Sequence, residues 1–240
     1  MKAIDPDLLL RAYSIGVFPM ADSRVADDVY WVEPKNRGIL PLDGFRLSHS
    51  LAKTIRSNRF TVTADQAFAR VVSECAASTS DRPDTWINPA IELAYADLHR
   101  RGHAHSIETW HDGRLVGGLY GVKLGGAFFG ESMFSRESNA SKVALAHLVA
   151  RLRAGGFRLL DCQFITDHLQ SLGAIEVSRD DYVALLDWAM GVAGGAMGAA
   201  VGWSPPDFFA LDGGATDPET RTVSGPISGC TIVQLLGHTS

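Results

Sequence analysis

Apolar residues recur every three or four positions in four stretches of the first hundred residues, and each stretch predicts an amphipathic helix. The first helix has Asp5 as its N-cap and Pro6 in its first turn, with Gly16 placed to end it. Helices therefore outnumber strands in this part of the chain. The remaining predicted elements are helices at 48–58, 65–78 and 88–101 and short strands at 30–34 and 59–63.

The pattern changes to extended strands in the middle of the chain. Asp112-Gly113 supplies the positive φ angles of a two-residue turn between strands 105–111 and 114–124, and a third strand follows at 127–134. A helix at 141–154 then leads to an apolar strand at 157–164. A strand, helix, strand order requires a right-handed crossover, so the last strand is predicted to lie parallel to its partner.

The chain after this crossover is predicted in two parts. A short helix, a strand at 174–177 and a helix that begins with a capping box of Ser178 and Asp181 come first. From Gly191 the composition shifts to Gly, Ala, Ser and Pro with few periodic apolar positions, so most of 191–240 is expected to be a loosely ordered tail without an assigned role.

Composition limits the classes of protein. No run approaches the roughly 18 apolar residues of a membrane span, and the start of the chain is acidic rather than a cleavable signal, so no membrane partner and a cytoplasmic location are expected. The three cysteines are widely spaced without a CxxC pair, which indicates neither a disulfide framework nor a structural zinc site.

Charge is uneven along the chain, although the net charge is only −5. Residues 35–60 contain six basic residues and one acidic residue, whereas 170–240 contain eight acidic residues and two basic ones. The basic stretch is either a solvated surface or a patch that contacts phosphates, and charge alone does not decide between them.

One strand carries unusual polar residues in an apolar setting. In LLDCQ, residues 159–163, alternation predicts Asp161 and Gln163 on one face of the strand and Cys162 on the other. Such a pair is either a buried polar cluster that satisfies neighbouring backbone groups or part of a reaction centre.

Four segments in fixed order resemble the leucyl/phenylalanyl-tRNA protein transferase family: HAHSIE at 103–108, GGLYGV at 117–122, GESMFSRESNASK at 130–142 and LLDCQ at 159–163. The resemblance extends from about Leu8 to Leu186, with Met20 where the family more often has Trp. It implies an α/β (α+β) fold whose catalytic domain is similar to the GCN5-related acetyltransferases. The expected domains are a small N-terminal domain at 1–45, the catalytic domain at 46–190 and the tail at 191–240.

The resemblance implies transfer of Leu, Phe or Met from aminoacyl-tRNA to proteins that begin with Arg or Lys, which marks them for proteolysis, with no cofactor and a monomeric enzyme. The attacking amine has a reference pKa of about 8, so it must lose a proton before it attacks the ester. Asp161 and Gln163 are implied at the reaction centre, and the proton could pass to Asp161 directly, through Gln163 or through a water. Glu131 is implied as the carboxylate that selects basic N-termini.

The resemblance also implies the substrate-binding residues. Trp31 and Trp86 would line the donor site and stack on the terminal adenosine, or they could fill a domain interface. The apolar residues among them either line a pocket for the donor side chain or are ordinary core positions. The implied pocket and contact residues are Leu119, Met133, Leu145, Leu148 and Leu160, with Gly130, Ser132 and Asn139.

Two other functions stay open from the sequence. An acetyl-CoA-dependent N-acetyltransferase would need a Gly-rich turn before the helix at 141–154, and no such turn is present. A non-catalytic module that binds tRNA or N-terminal degrons would not require the trio of Asp161, Gln163 and Glu131. His103 and His105 alternate on a strand but lack a suitably spaced third ligand, so they are expected to be structural and no metal is predicted.

Overall fold

The computed structural model describes residues 3–78, 84–191, 204–213 and 227–237. No helix in these ranges is both long and apolar enough to cross a bilayer. The helices are α1 (Pro6–Ser14), α2 (His49–Arg56), α3 (Phe68–Ala76), α4 (Pro89–Arg100), α5 (Ala140–Ala154), α6 (Asp167–Ser171), α7 (Arg179–Met190) and α8 (Gly229–Gly237). The strands are β1 (Phe18–Met20), β2 (Tyr30–Val32), β3 (Asn36–Ile39), β4 (Thr61–Ala64), β5 (Ala104–His111), β6 (Arg114–Leu124), β7 (Ala127–Ser135), β8 (Leu159–Gln163) and β9 (Ile175–Ser178).

Seven strands form one sheet in the order β4-β5-β6-β7-β8-β3-β9, and β1 pairs with β2 in a separate hairpin. The predicted antiparallel meander of β5, β6 and β7 is confirmed. The predicted crossover is confirmed as well, because α5 connects β7 to β8 and these two strands are parallel. The sheet is therefore mixed, with one parallel pair at its centre.

Helices cover both faces of this sheet and create two cores. On one face α2, α5 and α8 pack around Phe128 and Leu160. On the other face α1, α3, α4 and α7 pack around Tyr95 and Phe129. Burying an apolar stripe of each helix against the sheet supplies the main driving force for this arrangement.

Local capping explains where several helices begin. The Asp5 side chain accepts a hydrogen bond from the Asp7 amide, and Asn88 does the same for Ile91 at 2.9 Å. Ser178 accepts from the Asp181 amide, which confirms Ser178 as the predicted N-cap, and the Asp181 carboxylate accepts from the Ser178 hydroxyl. These side chains satisfy amides that the first turn of a helix leaves unpaired.

Two segments of the C-terminal region belong to the core. The Phe208 ring is fully buried and stacks on His105 with ring centroids 4.2 Å apart. Helix α8 packs against α2 and α5. The expectation of a loosely ordered tail is wrong for these two segments, because each is too short to show a clear apolar pattern and its packing partners lie far away along the chain.

Strand β3 joins the seven-stranded sheet although it lies before residue 45, the predicted end of the N-terminal domain. It lies between β8 and β9 and pairs antiparallel with both. We therefore propose that the catalytic unit begins with β3 rather than at residue 46.

Candidate active site

The parallel strands β7 and β8 separate towards one end of the sheet. They pair only where Ala127–Phe129 faces Leu159–Asp161. Beyond that point β7 continues along β6, while β8 continues along β3. A cavity of about 300 Å³ opens between the separated ends.

Predicted pocket residues from several elements line this cavity together. They come from β6, β7, α5 and β8, so residues up to 44 positions apart meet at one place. The walls are mainly apolar, which suits a hydrophobic side chain. The predicted residues on the lining are Leu119, Gly130, Glu131, Ser132, Met133, Leu145, Leu148, Leu160 and Gln163.

The segment after β8 forms a wall that the sequence did not predict. Phe164, Thr166, His168 and Leu169 lie on the loop and on α6, and all four line the cavity. Phe164 is 47% exposed, and its ring forms a T-shaped pair with that of Phe18. Adjacency to the LLDCQ motif was the available signal, but only the turn of the chain after Gln163 directs these side chains to the cavity.

Glu131 owes its position to a β-bulge. Gly121 faces Gly130 and Tyr120 faces Ser132, so Glu131 is the extra residue on β7. A bulge interrupts alternation and redirects a side chain, and it often does so beside an active site. Glu131 is thereby directed to the point where β7 and β8 separate.

Tyrosine hydroxyls and an amide surround the Glu131 carboxylate. Tyr95 donates to Oε2 at 2.8 Å, and Gln163 Nε2 donates to Oε1 at 3.3 Å. The Tyr13 hydroxyl lies 2.6 Å from the Tyr95 hydroxyl, and either oxygen can be the donor of that bond. Burial raises the pKa of Glu131 to about 7, although the hydrogen bonds from the tyrosines and the charge of Arg37 oppose this rise.

Gln163 has a backbone conformation that is unusual for its residue type. Its φ is 56°, in the left-handed region that non-glycine residues rarely occupy. The backbone N–H of Gln163 donates to Asp161 Oδ1 at 2.8 Å, and this bond stabilises the turn. Alternation therefore fails at the end of β8, and Gln163 lines the cavity whereas Asp161 does not.

Asp161 lies behind the cavity rather than at its surface. It is fully buried, and Arg37 binds it in a fork, with Nε 3.0 Å from Oδ1 and Nη2 2.6 Å from Oδ2. Tyr182 donates to Oδ2 at 2.7 Å. Protein donors thus occupy both carboxylate oxygens.

Arg37 is a functional candidate that the sequence analysis placed in the wrong environment. It was counted in the basic stretch 35–60 as a surface or phosphate-binding cation, yet it is only 1% exposed. Burial alone would lower the pKa of Arg37, but the charge and hydrogen bonds of Asp161 outweigh burial and raise it. No local pattern marked this position, because the partner carboxylate lies 124 residues away.

Three predicted contact residues do not line the cavity. Trp31 lies on β2 and is 40% exposed, while Trp86 packs partly buried against the core under α1, α3 and α4. Asn139 stands at the N-cap position of α5, but its φ is 69° and its side chain makes no capping hydrogen bond. Ser135 accepts from the Ser141 amide at 3.2 Å instead.

His105, one of the two histidines expected to be structural, has a structural setting. His105 binds Asp65 at 2.7 Å and stacks on Phe208. In the described parts of the chain, no three His, Cys, Asp or Glu side chains come together as metal ligands.

Two family models cover most of the sequence. The model described as leucyl/phenylalanyl-tRNA protein transferase matches residues 39–187, and the model of the N-terminal domain of the same enzymes matches residues 2–35. The chain belongs to the leucyl/phenylalanyl-tRNA protein transferase family. As a member of this family it is an aminoacyltransferase that takes an amino acid from tRNA and gives it to a protein.

Curated relatives agree with this membership. A leucyl/phenylalanyl-tRNA protein transferase from Rhizorhabdus wittichii is 86% identical and covers 100% of both chains. One from Afipia carboxidovorans is 54% identical over 92% of this chain and 90% of its own length. Such similarity favours aminoacyl transfer over the acetyl-CoA alternative.

The fold predicted from the family resemblance is confirmed. The crystal structure of FemX, a neighbour with a fold like that of GCN5-related acetyltransferases, superposes with a TM-score of 0.50. The two chains are 12% identical, and the match covers 72% of this transferase-family chain and 66% of FemX. At this identity the likeness concerns the fold alone.

Proposed function

We propose that the protein transfers Leu, Phe or Met from aminoacyl-tRNA to the α-amino group of proteins that begin with Arg or Lys, and so marks them for proteolysis. The observation that carries this proposal is an apolar cavity with one polar edge, formed by a carboxylate, Glu131, and a side-chain amide, Gln163. The cavity suits the donor side chain, and the polar edge suits the amine and the ester.

Apolar walls support the donor part of the proposal. Leu145 and Leu148 of α5 face Leu119 and Met133 of the sheet across the cavity. A site of this kind discriminates by fit, and one methylene is worth about 1 to 3 kcal/mol, so we expect graded selection among apolar amino acids.

Proton transfer is better matched to Glu131 than to Asp161. The amine nitrogen attacks the ester carbonyl, the bond to the ribose oxygen breaks, and a proton must leave the nitrogen while the ribose oxygen gains one. Glu131 lines the cavity and has a pKa near neutrality, which favours reversible proton transfer. The oxygens of Asp161 are occupied by Arg37 and Tyr182, so we propose Glu131 as the proton acceptor and Gln163 as the group that orients the amine.

Other contacts to the tRNA remain proposals. Trp31 is 40% exposed, which suits its ring to stacking on a base, while Ser132 lines the cavity near the expected ester. Arg46, His49 and Arg56 line a groove between α2 and α8, which supports the phosphate-contact interpretation of the basic stretch. Roles for Trp86 and Asn139, the monomeric state and the absence of a cofactor stay predictions. A cytoplasmic location is proposed because charged tRNAs are made there.

Direct label transfer tests the proposed function. The purified protein is incubated with radiolabelled Leu-tRNA or Phe-tRNA and with two peptides that differ only in an N-terminal Arg or Gly. We expect label on the Arg peptide and none on the Gly peptide. Equal labelling of both peptides would refute the acceptor rule, and acetyl transfer from acetyl-CoA without any aminoacyl transfer would favour the acetyltransferase alternative.

A further inference from the structure

The buried Arg37 side chain has partners on several elements of the fold. Its fork holds Asp161, and Nη1 donates to the Gly16 carbonyl at 2.8 Å at the end of α1. The guanidinium also lies over two rings, 4.8 Å from the centroid of Phe18 and 4.6 Å from that of Tyr182. A buried cation is costly unless it is paired in this way, so its orientation is fixed.

Asp161 passes this orientation to the cavity. Asp161 Oδ1 accepts from Arg37 and from the backbone N–H of Gln163. The second bond stabilises the strained, positive φ of Gln163. Gln163 in turn places Nε2 within 3.3 Å of Glu131. A continuous path of hydrogen bonds therefore joins Arg37 to the polar edge of the cavity.

Backbone packing reinforces the same turn. Gly38, the next residue after Arg37, pairs with Gln163, and the strand register shifts between Gly38 and Ile39. A Cβ at Gly38 would lie 2.7 Å from the carbonyl carbon of Phe164. Strand β3 thus approaches the end of β8 as closely as only glycine permits.

We propose, on the basis of the transfer reaction above, that Arg37 is a positioning residue. Through Asp161 it fixes Gln163 in the conformation that presents the Gln163 side-chain amide to the amine of the acceptor protein and to Glu131. Arg37 touches no substrate. Its loss is expected to slow the chemical step while donor binding, which depends on the apolar walls, changes little.

Arg151 provides a matched control for removal of a buried arginine. It also donates twice to one carboxylate, that of Asp212, and once to a carbonyl, that of Phe208, and it lies over the Phe208 and Phe209 rings. Arg151 does not line the cavity. Arg37→Lys and Arg151→Lys therefore remove the same kind of fork, and only the first touches the path to Gln163.

Steady-state transfer of Phe to an Arg peptide is measured for the wild type, Arg37→Lys, Tyr182→Phe and Arg151→Lys, at a temperature where circular dichroism shows each variant folded. For Arg37→Lys we expect kcat to fall at least tenfold, with KM for Phe-tRNA within threefold of wild type. Tyr182→Phe keeps the ring but loses one bond to Asp161, so a threefold to tenfold fall in kcat is expected. Arg151→Lys should lower the melting temperature while kcat stays within threefold.

Three results would overturn the proposal. They are a kcat of Arg37→Lys within threefold of wild type, a rise in KM of Arg37→Lys without a fall in kcat, or equal falls of kcat in Arg37→Lys and Arg151→Lys. If Arg37→Lys does not fold, Tyr182→Phe decides by the same criteria. An inactive wild type would instead refute the proposed transfer function, so the two failures are distinguishable.

Discussion

Glu131→Gln should make the protein more stable in mild alkali while it impairs transfer. Burial raises the pKa of Glu131 from 4.5 to about 7. Between these two values the folded protein keeps a proton that the unfolded chain releases, so stability falls as the pH rises through this window. The variant lacks the titrating group and escapes this loss.

The size of the effect follows from the two pKa values. Each tenfold change in a proton-dissociation constant is worth about 1.4 kcal/mol. The ionisation of Glu131 therefore lowers the free energy of unfolding of the wild type by about 2.5 kcal/mol between pH 5 and pH 8. The stability of Glu131→Gln minus that of wild type should therefore rise by about 2.5 kcal/mol between these pH values. Contributions that do not depend on pH, such as altered hydrogen bonds to Tyr95, cancel in this difference.

Urea unfolding followed by tryptophan fluorescence at pH 5 and pH 8 measures this difference. Asp84→Asn is the control, because hydrogen bonds from the backbone amides of Arg24 and Thr85 lower the pKa of Asp84, so its carboxylate stays charged at both pH values and no gain at pH 8 is expected from its removal. A pH-independent difference for Glu131→Gln would show that the carboxylate has an ordinary pKa, and it would remove the physical basis for Glu131 as the proton acceptor. Transfer by the variant should fall more than tenfold at pH 7, in the same preparation that gains stability.

Three further changes test the cavity and its support. Leu145→Trp should reduce transfer of Phe more than transfer of Leu, because the larger ring occupies part of the cavity. The ratio of kcat/KM for Phe to that for Leu should fall about tenfold, and an unchanged ratio would exclude Leu145 from donor selection. Gly38→Ala should lower kcat because its Cβ meets the Phe164 backbone at 2.7 Å, and transfer at the wild-type rate would contradict a role for this close approach. Phe208→Ala should cost about 3 to 5 kcal/mol in urea unfolding because it empties a fully buried site, whereas a cost below about 1 kcal/mol would detach this segment from the core.

Much of the local structure could be predicted from the residues alone. The Asp112-Gly113 turn fixed the hairpin of β5 and β6, and Asn88 with the following proline marked the start of α4. These signals work because capping, turn geometry and apolar periodicity are properties of neighbouring residues. The family resemblance added the cavity residues, which periodicity could not have separated from ordinary core positions.

Only the tertiary structure showed which polar side chains reach the cavity and which are buried behind it. Asp161 and Gln163 are two residues apart, yet one binds a buried arginine and the other reaches the cavity, because Gln163 turns into the left-handed region. Glu131 reaches the same edge through a bulge in the pairing of β6 with β7. Burial, partner charges and strand register depend on residues far apart in sequence, so local sequence patterns cannot show which carboxylate pairs with a buried arginine and which lines the cavity.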